Sequence, residues 1–123
     1  MSVQPTTTRE NADYVSFVTH KFDEMKELFI KKNKQYSTDD PLANFRTAAL
    51  MHSKEGTYEA MYEEAKNFMR KHIAHIENTG IYGRKAAESL GDIMVYCNIM
   101  MYMIHAWELE QKAKITRENE ADE

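Results

Sequence analysis

Two carboxylates spaced one helical turn apart are the residues of this sequence best suited to chemistry. Glu88 and Asp92 lie near the start of a long apolar stretch that contains no proline. At about 100° per residue they share one line along a helix, and Val95, Ile99 and Met103 continue that line. Carboxylate oxygens, with water and phosphate oxygens, are the ligands that Mg²⁺ takes. The spacing therefore indicates a metal site, or else two solvated acids that complement the helix dipole.

Further candidate side chains lie on the preceding periodic segment. Glu64 is at the boundary of its apolar stripe, and Lys71 at the margin can meet a phosphate or the acidic pair. His72 lies on the apolar side, where a histidine is either a hydrogen-bonded core residue or a ligand or base. Glu59 and Glu63 lie opposite the stripe and are interpreted as part of a solvated, salt-bridged face.

A polar segment between the first two predicted helices combines groups that can hold a base, a sugar and phosphates. It contains the cation of Lys34, the ring of Tyr36 and the carboxylate of Asp39, and Asn44 and Arg46 follow it. The sequence has no glycine-rich phosphate cradle, nucleophile elbow or zinc-type spacing of Cys and His.

Four helices are predicted to position these residues. Apolar spacing and capping signals place them from Thr7 to about Asn33, from Pro41 to about His52, from the Thr57 cap to about Glu77, and from Gly83 to Ala113. Asp40 and Pro41 are predicted as N-cap and first position of the second helix. Gly80 is predicted to close the third helix in the left-handed conformation. No strand pattern appears, so we expect an all-α antiparallel helix bundle of about four helices.

The last predicted helix is apolar on opposite faces. We expect one stripe to face the core, namely Ala86, Leu90, Ile93, Cys97, Met100, Ile104 and Trp107. The line that begins with Glu88 and Asp92 is the second apolar face. A chain of 123 residues can hardly enclose such a helix alone. We therefore expect oligomerisation, most simply a homodimer, to complete the bundle, with 1–115 as a single domain and 116–123 as a disordered acidic tail.

Composition narrows the classes of partner and compartment. The formal net charge is −4 and the Lys and Arg residues are dispersed, which argues against nucleic-acid binding through a broad basic face. The single cysteine, Cys97, cannot form an internal disulfide, which fits a reducing interior. The N-terminus does not have the pattern of a signal sequence, and the longest apolar run is too short to span a bilayer comfortably. We expect a cytoplasmic protein without membrane contact.

Short motifs along most of the chain resemble those of phage-type relatives of the MazG-like, all-α nucleotide pyrophosphohydrolases, the group that includes the dimeric dUTPases. The motifs are Lys34-Gln-Tyr36, Asp39-Asp-Pro-Leu-Ala-Asn-Phe-Arg46, Lys71-His72, and Glu88-Ser-Leu-Gly-Asp92 with Tyr96. In that superfamily a Glu-x-x-Glu pair and a Glu-x-x-Asp pair on consecutive helices hold Mg²⁺ at the phosphates. Here the second pair is spaced Glu-x-x-x-Asp, and the earlier helix has Glu59, Glu63 and Glu64 without the Glu-x-x-Glu spacing.

The resemblance implies that a Mg²⁺-activated water attacks a (deoxy)nucleoside triphosphate, giving monophosphate and pyrophosphate. The implied metal ligands are Glu64, Glu88 and Asp92, and the implied catalytic residues are Glu64, Lys71 and His72. The implied nucleotide-binding residues are Lys34, Tyr36, Asp39, Asn44 and Arg46. The alternative is a non-catalytic phage helical-bundle protein that binds a nucleotide or a host protein. A phage-encoded protein of either kind would act in the host cytoplasm.

Overall fold

Every regular element that the structure describes is helical, which confirms the predicted all-α class. The computed structural model describes the backbone of residues 4–36 and 40–121 and the side chains of residues 8–34 and 40–121. The elements are α1 (Gln4–Tyr36), α2 (Ala43–Ser53), α3 (Tyr58–Thr79), a 3-10 turn (Gly80–Tyr82) and α4 (Ala86–Ala121). No helix in these ranges is both long and apolar enough to cross a membrane.

The chain divides into two compact units, which are described separately. The first contains α1 and ends at Pro41, and the second begins at Leu42 and contains α2, α3 and α4. Helix α1 is longer than predicted, so Lys34 lies in its last turn rather than in a loop. Its large apolar side chains are mostly exposed, among them Tyr14, Val15, Phe17, Phe22, Leu28, Phe29 and Ile30.

Helix α2 begins two residues later than the sequence predicts. Its N-cap is Leu42, which has no side-chain hydrogen bond to the helix, and not Asp40. The prediction followed the preference for a capping carboxylate, but burial of Leu42 in the core sets the start of the helix instead. At the other end the N–H of Lys54, which has a left-handed φ of 63°, donates to the carbonyl of Leu50.

The ends of α3 follow their capping residues. The hydroxyl of Thr57 accepts a hydrogen bond from the N–H of Ala60 at 3.2 Å, as the sequence predicts. Gly80 ends the helix with a φ of 62°, a conformation that favours glycine, but its ψ of −157° is extended rather than left-handed helical. The chain then makes the 3-10 turn and returns as α4.

Helix α3 lies between α2 and α4 and packs against both. Short connections make neighbouring helices antiparallel, as expected for a helical bundle. Methionines and small residues fill the core, which consists of Leu42, Ala49, Met61, Ala65, Met100 and Met103. The alanines allow close approach of the helices, while the flexible methionines fill the remaining space.

The face of α4 that packs on α3 combines part of the predicted stripe with part of the opposite line. Met100 of the predicted stripe is buried, but Leu90 and Ile104 are 52% and 44% exposed. Instead Met103 and Ala106, on the opposite line, are buried. Both faces are apolar, so their periodicity alone does not select between them. Met100 and Cys97 from the predicted stripe pack on α3 together with Met103 and Ala106 from the opposite line.

Helix α4 also ends later than predicted. It continues to Ala121, eight residues beyond Ala113, and so includes most of the segment predicted as an acidic tail. Four of the eight residues from Lys114 to Ala121 are Glu, Lys or Arg, which favour helix, and Glu110 and Lys114 have the spacing of a stabilising pair.

Truncating a buried methionine of the core should lower the free energy of unfolding more than truncating an exposed one. Met61→Ala should lower the free energy of unfolding by about 2–5 kcal/mol, because Met61 is fully buried and its loss leaves a cavity. Met51→Ala is the matched control, since Met51 is 76% exposed, and should change it by less than about 0.5 kcal/mol. Urea denaturation measures both. Equal costs would contradict the packing of α3 described above.

Candidate functional site

Three helices of the second unit contribute to one cluster of aromatic and ionisable side chains. Helix α2 provides one ring, α3 provides a ring and two basic groups, and α4 provides a carboxylate and a phenol. We call this group the His72 cluster, and its members are Phe45, Phe68, Lys71, His72, Asp92 and Tyr96. Residues from separate parts of the chain, three of them predicted site residues, therefore lie together.

Aromatic contacts hold the cluster together. The rings of Phe68 and Tyr96 are nearly parallel, with centroids 6.3 Å apart. Phe45 packs edge-on against both, at 5.9 Å from Phe68 and 6.3 Å from Tyr96. Edge-to-face and offset arrangements of this kind stabilise a contact beyond the area that it buries. They connect α2 to the point where α3 and α4 present their polar groups.

The polar groups lie at the accessible side of these rings. Nδ1 of His72 is 3.7 Å from a carboxylate oxygen of Asp92, and the two side chains are 28% and 48% exposed. This separation allows electrostatic attraction but exceeds hydrogen-bonding distance, so each atom can still bond to a ligand. Nζ of Lys71 lies 5.6 Å from the centroid of the Phe68 ring, a cation–π contact. Two basic groups and one carboxylate are thus available to solutes.

Tyr96 is the member whose ionisation the site changes most clearly. Burial raises the pKa of its phenol above the ordinary value, and the negative charge of Asp92 raises it further. Tyr96 is therefore a neutral hydrogen-bonding group beside the carboxylate. In the sequence Tyr96 stands out only as part of a motif, because a tyrosine on an apolar helix face has no signal of its own.

Glu64 lies away from the His72 cluster. It is buried at the contact of α3 with α2, where the imidazole of His52 donates from Nδ1 to its Oε1 at 2.7 Å. Eight residues separate Glu64 from His72 along α3, which corresponds to about 12 Å. Asp92 therefore lies beside His72, whereas Glu64 faces His52 on α2. The sequence does not identify His52 as the partner, because the pairing depends on the register of two helices.

The remaining predicted site residues are not gathered at the cluster. Glu88 is one turn before Asp92 but exposed rather than inward, and Asn44 is exposed on α2 beside Phe45. Arg46 donates from Nη1 to the carbonyl of Gly56 at 2.7 Å and so holds the loop between α2 and α3. Lys34 is exposed on α1, in the other unit. Asp39 and the side chain of Tyr36 lie outside the described residues.

The loop that Arg46 holds requires a small residue. A Cβ atom at Gly56 would lie 3.1 Å from Cγ of Arg46, closer than a comfortable contact. Glycine therefore allows the aliphatic part of Arg46 to lie against the loop while its guanidinium reaches the carbonyl.

Across residues 40–121 and the described part of α1, no three His, Cys, Asp or Glu side chains converge as a group that could hold a metal ion. Glu64, Glu88 and Asp92 are therefore not one preassembled site. Of these three, Glu88 and Asp92 lie one helical turn apart on α4.

Two other features of the second unit were not predicted. A cavity of about 320 Å³ between α3 and α4 is lined by Tyr58, Glu59, Tyr62, Glu63, Met103, Ile104 and Trp107. Its size reaches the lower end of small-molecule sites, but its lining is mainly apolar. In addition, Nε2 of His75 is buried without a hydrogen-bond partner among the described groups, a costly arrangement for a polar atom. Neither feature lies in the His72 cluster.

Comparison with known proteins found no relative of this chain. No family model, curated protein or solved structure matches the chain. The similarity to MazG-like proteins thus remains a resemblance of short motifs.

The hydrogen-bonded pair of buried Glu64 on α3 and exposed His52 on α2 predicts coupled losses of stability. Glu64→Ala should lower the free energy of unfolding by about 1–3 kcal/mol, because it removes a charge-assisted hydrogen bond from a buried position. The double variant His52→Ala/Glu64→Ala should lose less free energy of unfolding than the two single variants together. The difference, which is the coupling energy, should be about 0.5–3 kcal/mol. Glu63→Ala, which removes only an exposed ion pair with Lys66, is the control and should cost about 0–1 kcal/mol. Additive losses in a denaturation series would contradict the pairing.

The pKa of Tyr96 should depend on Asp92. Asp92→Asn should lower that pKa but leave it above the ordinary value, because burial is the larger cause of the shift. A raised phenol pKa contributes stability below the unfolded pKa, and that contribution is lost as pH rises through the folded pKa. A titration of ring-labelled tyrosines by NMR measures the shift, and Tyr96→Phe assigns the signal. Glu88→Gln, an exposed change one turn away, should have no effect.

Proposed function

We propose that the His72 cluster binds the phosphates of a (deoxy)nucleoside triphosphate and that the protein hydrolyses it to monophosphate and pyrophosphate with Mg²⁺. One observation carries this proposal. Phe45, the pair Lys71 and His72, and the pair Asp92 and Tyr96 come from three motifs that resemble those of MazG-like proteins, and they lie together in the structure. Motifs distant in sequence that converge at an accessible surface are typical of a site.

The basic groups are suited to the phosphates. Lys71 provides an amino group in an exposed position, and His72 provides a ring nitrogen that is not hydrogen-bonded to Asp92. Charge-assisted hydrogen bonds from such groups to phosphate oxygens are stronger than neutral ones. Asn44, exposed next to Phe45, is the described residue of α2 that we assign to the base or sugar. Arg46 positions the loop after α2, and Lys34, Tyr36 and Asp39 stay predictions from the sequence.

Asp92 and Glu88 are the proposed ligands of Mg²⁺. They suit an ion that takes one or two carboxylates and completes its shell with water and substrate phosphates. The bound ion would supply charge neutralisation and an activated water. Glu64 does not fit this set, because about 12 Å of α3 separates it from His72 and because His52 occupies one of its oxygens. We therefore assign Glu64 to the stability of the α2–α3 contact rather than to the reaction.

Binding of a nucleotide without hydrolysis is the second candidate. The position of Glu64 favours it, since the carboxylate that the resemblance assigns to water activation is held elsewhere. The two candidates share the binding site and differ in turnover.

A nucleotide panel tests the proposal. At least one common nucleoside triphosphate should raise the melting temperature and bind in calorimetry, more tightly with Mg²⁺. Lys71→Ala should weaken that binding about tenfold or more, because it removes a charge-assisted contact of about 1.5–3 kcal/mol. Lys66→Ala is the matched control on another face of α3, where Lys66 pairs with Glu63, and should bind normally.

The role of Mg²⁺ has its own test. Mg²⁺ with nucleotide should raise the melting temperature of the wild type. Asp92→Asn should abolish the part of that increase that depends on Mg²⁺. Release of pyrophosphate by the wild type, but not by Asp92→Asn, supports hydrolysis. Binding of nucleotide without release of pyrophosphate supports the second candidate. If no nucleotide changes the melting temperature with or without Mg²⁺, both candidates are wrong.

A further inference from the structure

The cavity between α3 and α4 has aromatic walls. Its volume is about 320 Å³, and it lies within the second unit. Tyr58 and Tyr62, one helical turn apart, line it from α3, and Trp107 lines it from α4. Met103 is 1% exposed and lies at its inner end, whereas Trp107 is 37% exposed and lies at its mouth. The cavity is therefore an aromatic pocket that opens to solvent, and we call it the Trp107 pocket.

Two carboxylates lie at the edge of the Trp107 pocket. Glu59 and Glu63 are among its lining residues, and both are exposed. They are also one helical turn apart, so the acidic pair follows a line along α3 next to that of the two tyrosines. Among the described residues, no basic side chain lines the pocket. Its mouth therefore favours a positively charged solute.

Lys66 shows how this surface binds an ammonium group. Its Nζ lies 5.8 Å from the centroid of the Tyr62 ring and 3.0 Å from a carboxylate oxygen of Glu63. One cation thus contacts an aromatic ring and a carboxylate together. Lys66 is not a lining residue, so it does not fill the pocket. Glu59 forms no ion pair within residues 8–34 and 40–121, and its carboxylate is therefore available to a solute.

A quaternary ammonium ion fits this lining better than other cations do. A metal ion needs several oxygen ligands, and a primary ammonium has three N–H donors that need acceptors, whereas the lining is mainly apolar. A quaternary ammonium has no N–H group, and its methyl groups can lie directly on aromatic rings. The positive end of α3 opposes any cation, but it corresponds to about half a charge, which is less than that of a single carboxylate.

We propose that the Trp107 pocket binds a small organic cation with a quaternary ammonium head group. The head group lies against the rings of Tyr58, Tyr62 and Trp107, and the carboxylates of Glu59 and Glu63 compensate its charge. The volume of the pocket is at the lower end of the range for small-molecule sites, which suits a free small molecule. This site is separate from the His72 cluster, so its occupancy does not depend on nucleotide binding.

Choline and its neutral isostere, an alcohol in which a tert-butyl group replaces the trimethylammonium group, test the proposal on the full chain. Trp107 is the only tryptophan of the sequence, so its fluorescence reports directly on the pocket. Choline chloride, compared with sodium chloride at equal concentration, should change that fluorescence saturably at millimolar concentration or below. The isostere has the same shape without the charge and should bind at least about fivefold more weakly, because it lacks the cation–π and carboxylate contacts.

Two glutamate variants distinguish the pocket from a general effect of charge. Glu59→Gln should weaken choline binding about twofold to fivefold and leave binding of the isostere unchanged. Glu77→Gln is the matched control, since Glu77 is also exposed on α3 but lies near its other end, and it should bind choline as the wild type does. Circular dichroism should show both variants folded, as expected for changes at exposed positions.

A tyrosine variant tests the aromatic wall. Tyr58→Leu keeps an apolar side chain at the pocket but removes one ring, so it should weaken binding of choline more than binding of the isostere. Equal binding of choline and the isostere by the wild type would overturn the proposal, because the pocket would then recognise apolar volume and not charge. Equal effects of Glu59→Gln and Glu77→Gln would also overturn it. So would the absence of a saturable fluorescence change, including the case in which another segment or a second copy fills the pocket.

Discussion

Close packing of α3 against α2 on one side and α4 on the other is the constraint on which the second unit depends. Ala49, Ala65 and Met61 have no accessible surface, and Met103 has almost none. Small residues let the helix backbones approach, and buried methionines fill the space that remains. Because α3 is held on two sides, the position of each of its polar residues relative to both neighbours is determined.

Two acidic residues illustrate what that packing does to chemistry. Glu64 faces α2, is buried and accepts a hydrogen bond from His52. Asp92 on α4 is half exposed beside His72 and the aromatic rings. Both are carboxylates on helices, yet one stabilises a contact between helices and the other is accessible to a ligand. The difference comes from which helix each side chain faces, and this separation is why the proposed site rests on Asp92, Lys71 and His72.

Helix α4 is apolar around most of its circumference near its middle and becomes polar beyond Trp107. Met103 and Ala106 are buried and complete the core with α3, together with Met100. Leu90, Met101 and Ile104 are exposed among the described residues. The apolar pattern of α4 therefore includes more side chains than its contact with α3 buries.

The local features of this protein could be predicted from its sequence. The helical class, the Thr57 cap, the end of α3 at Gly80 and the apolar character of both faces of α4 all follow from propensity, capping and periodicity, which act over a few residues. The choice between the two faces of α4 could not be predicted, because both satisfy the same periodicity. The separation of Glu64 from Asp92 could not be predicted either, and neither could the burial of Leu42 that moves the start of α2. These depend on the register and closeness of helices distant in sequence, which only the packed structure decides.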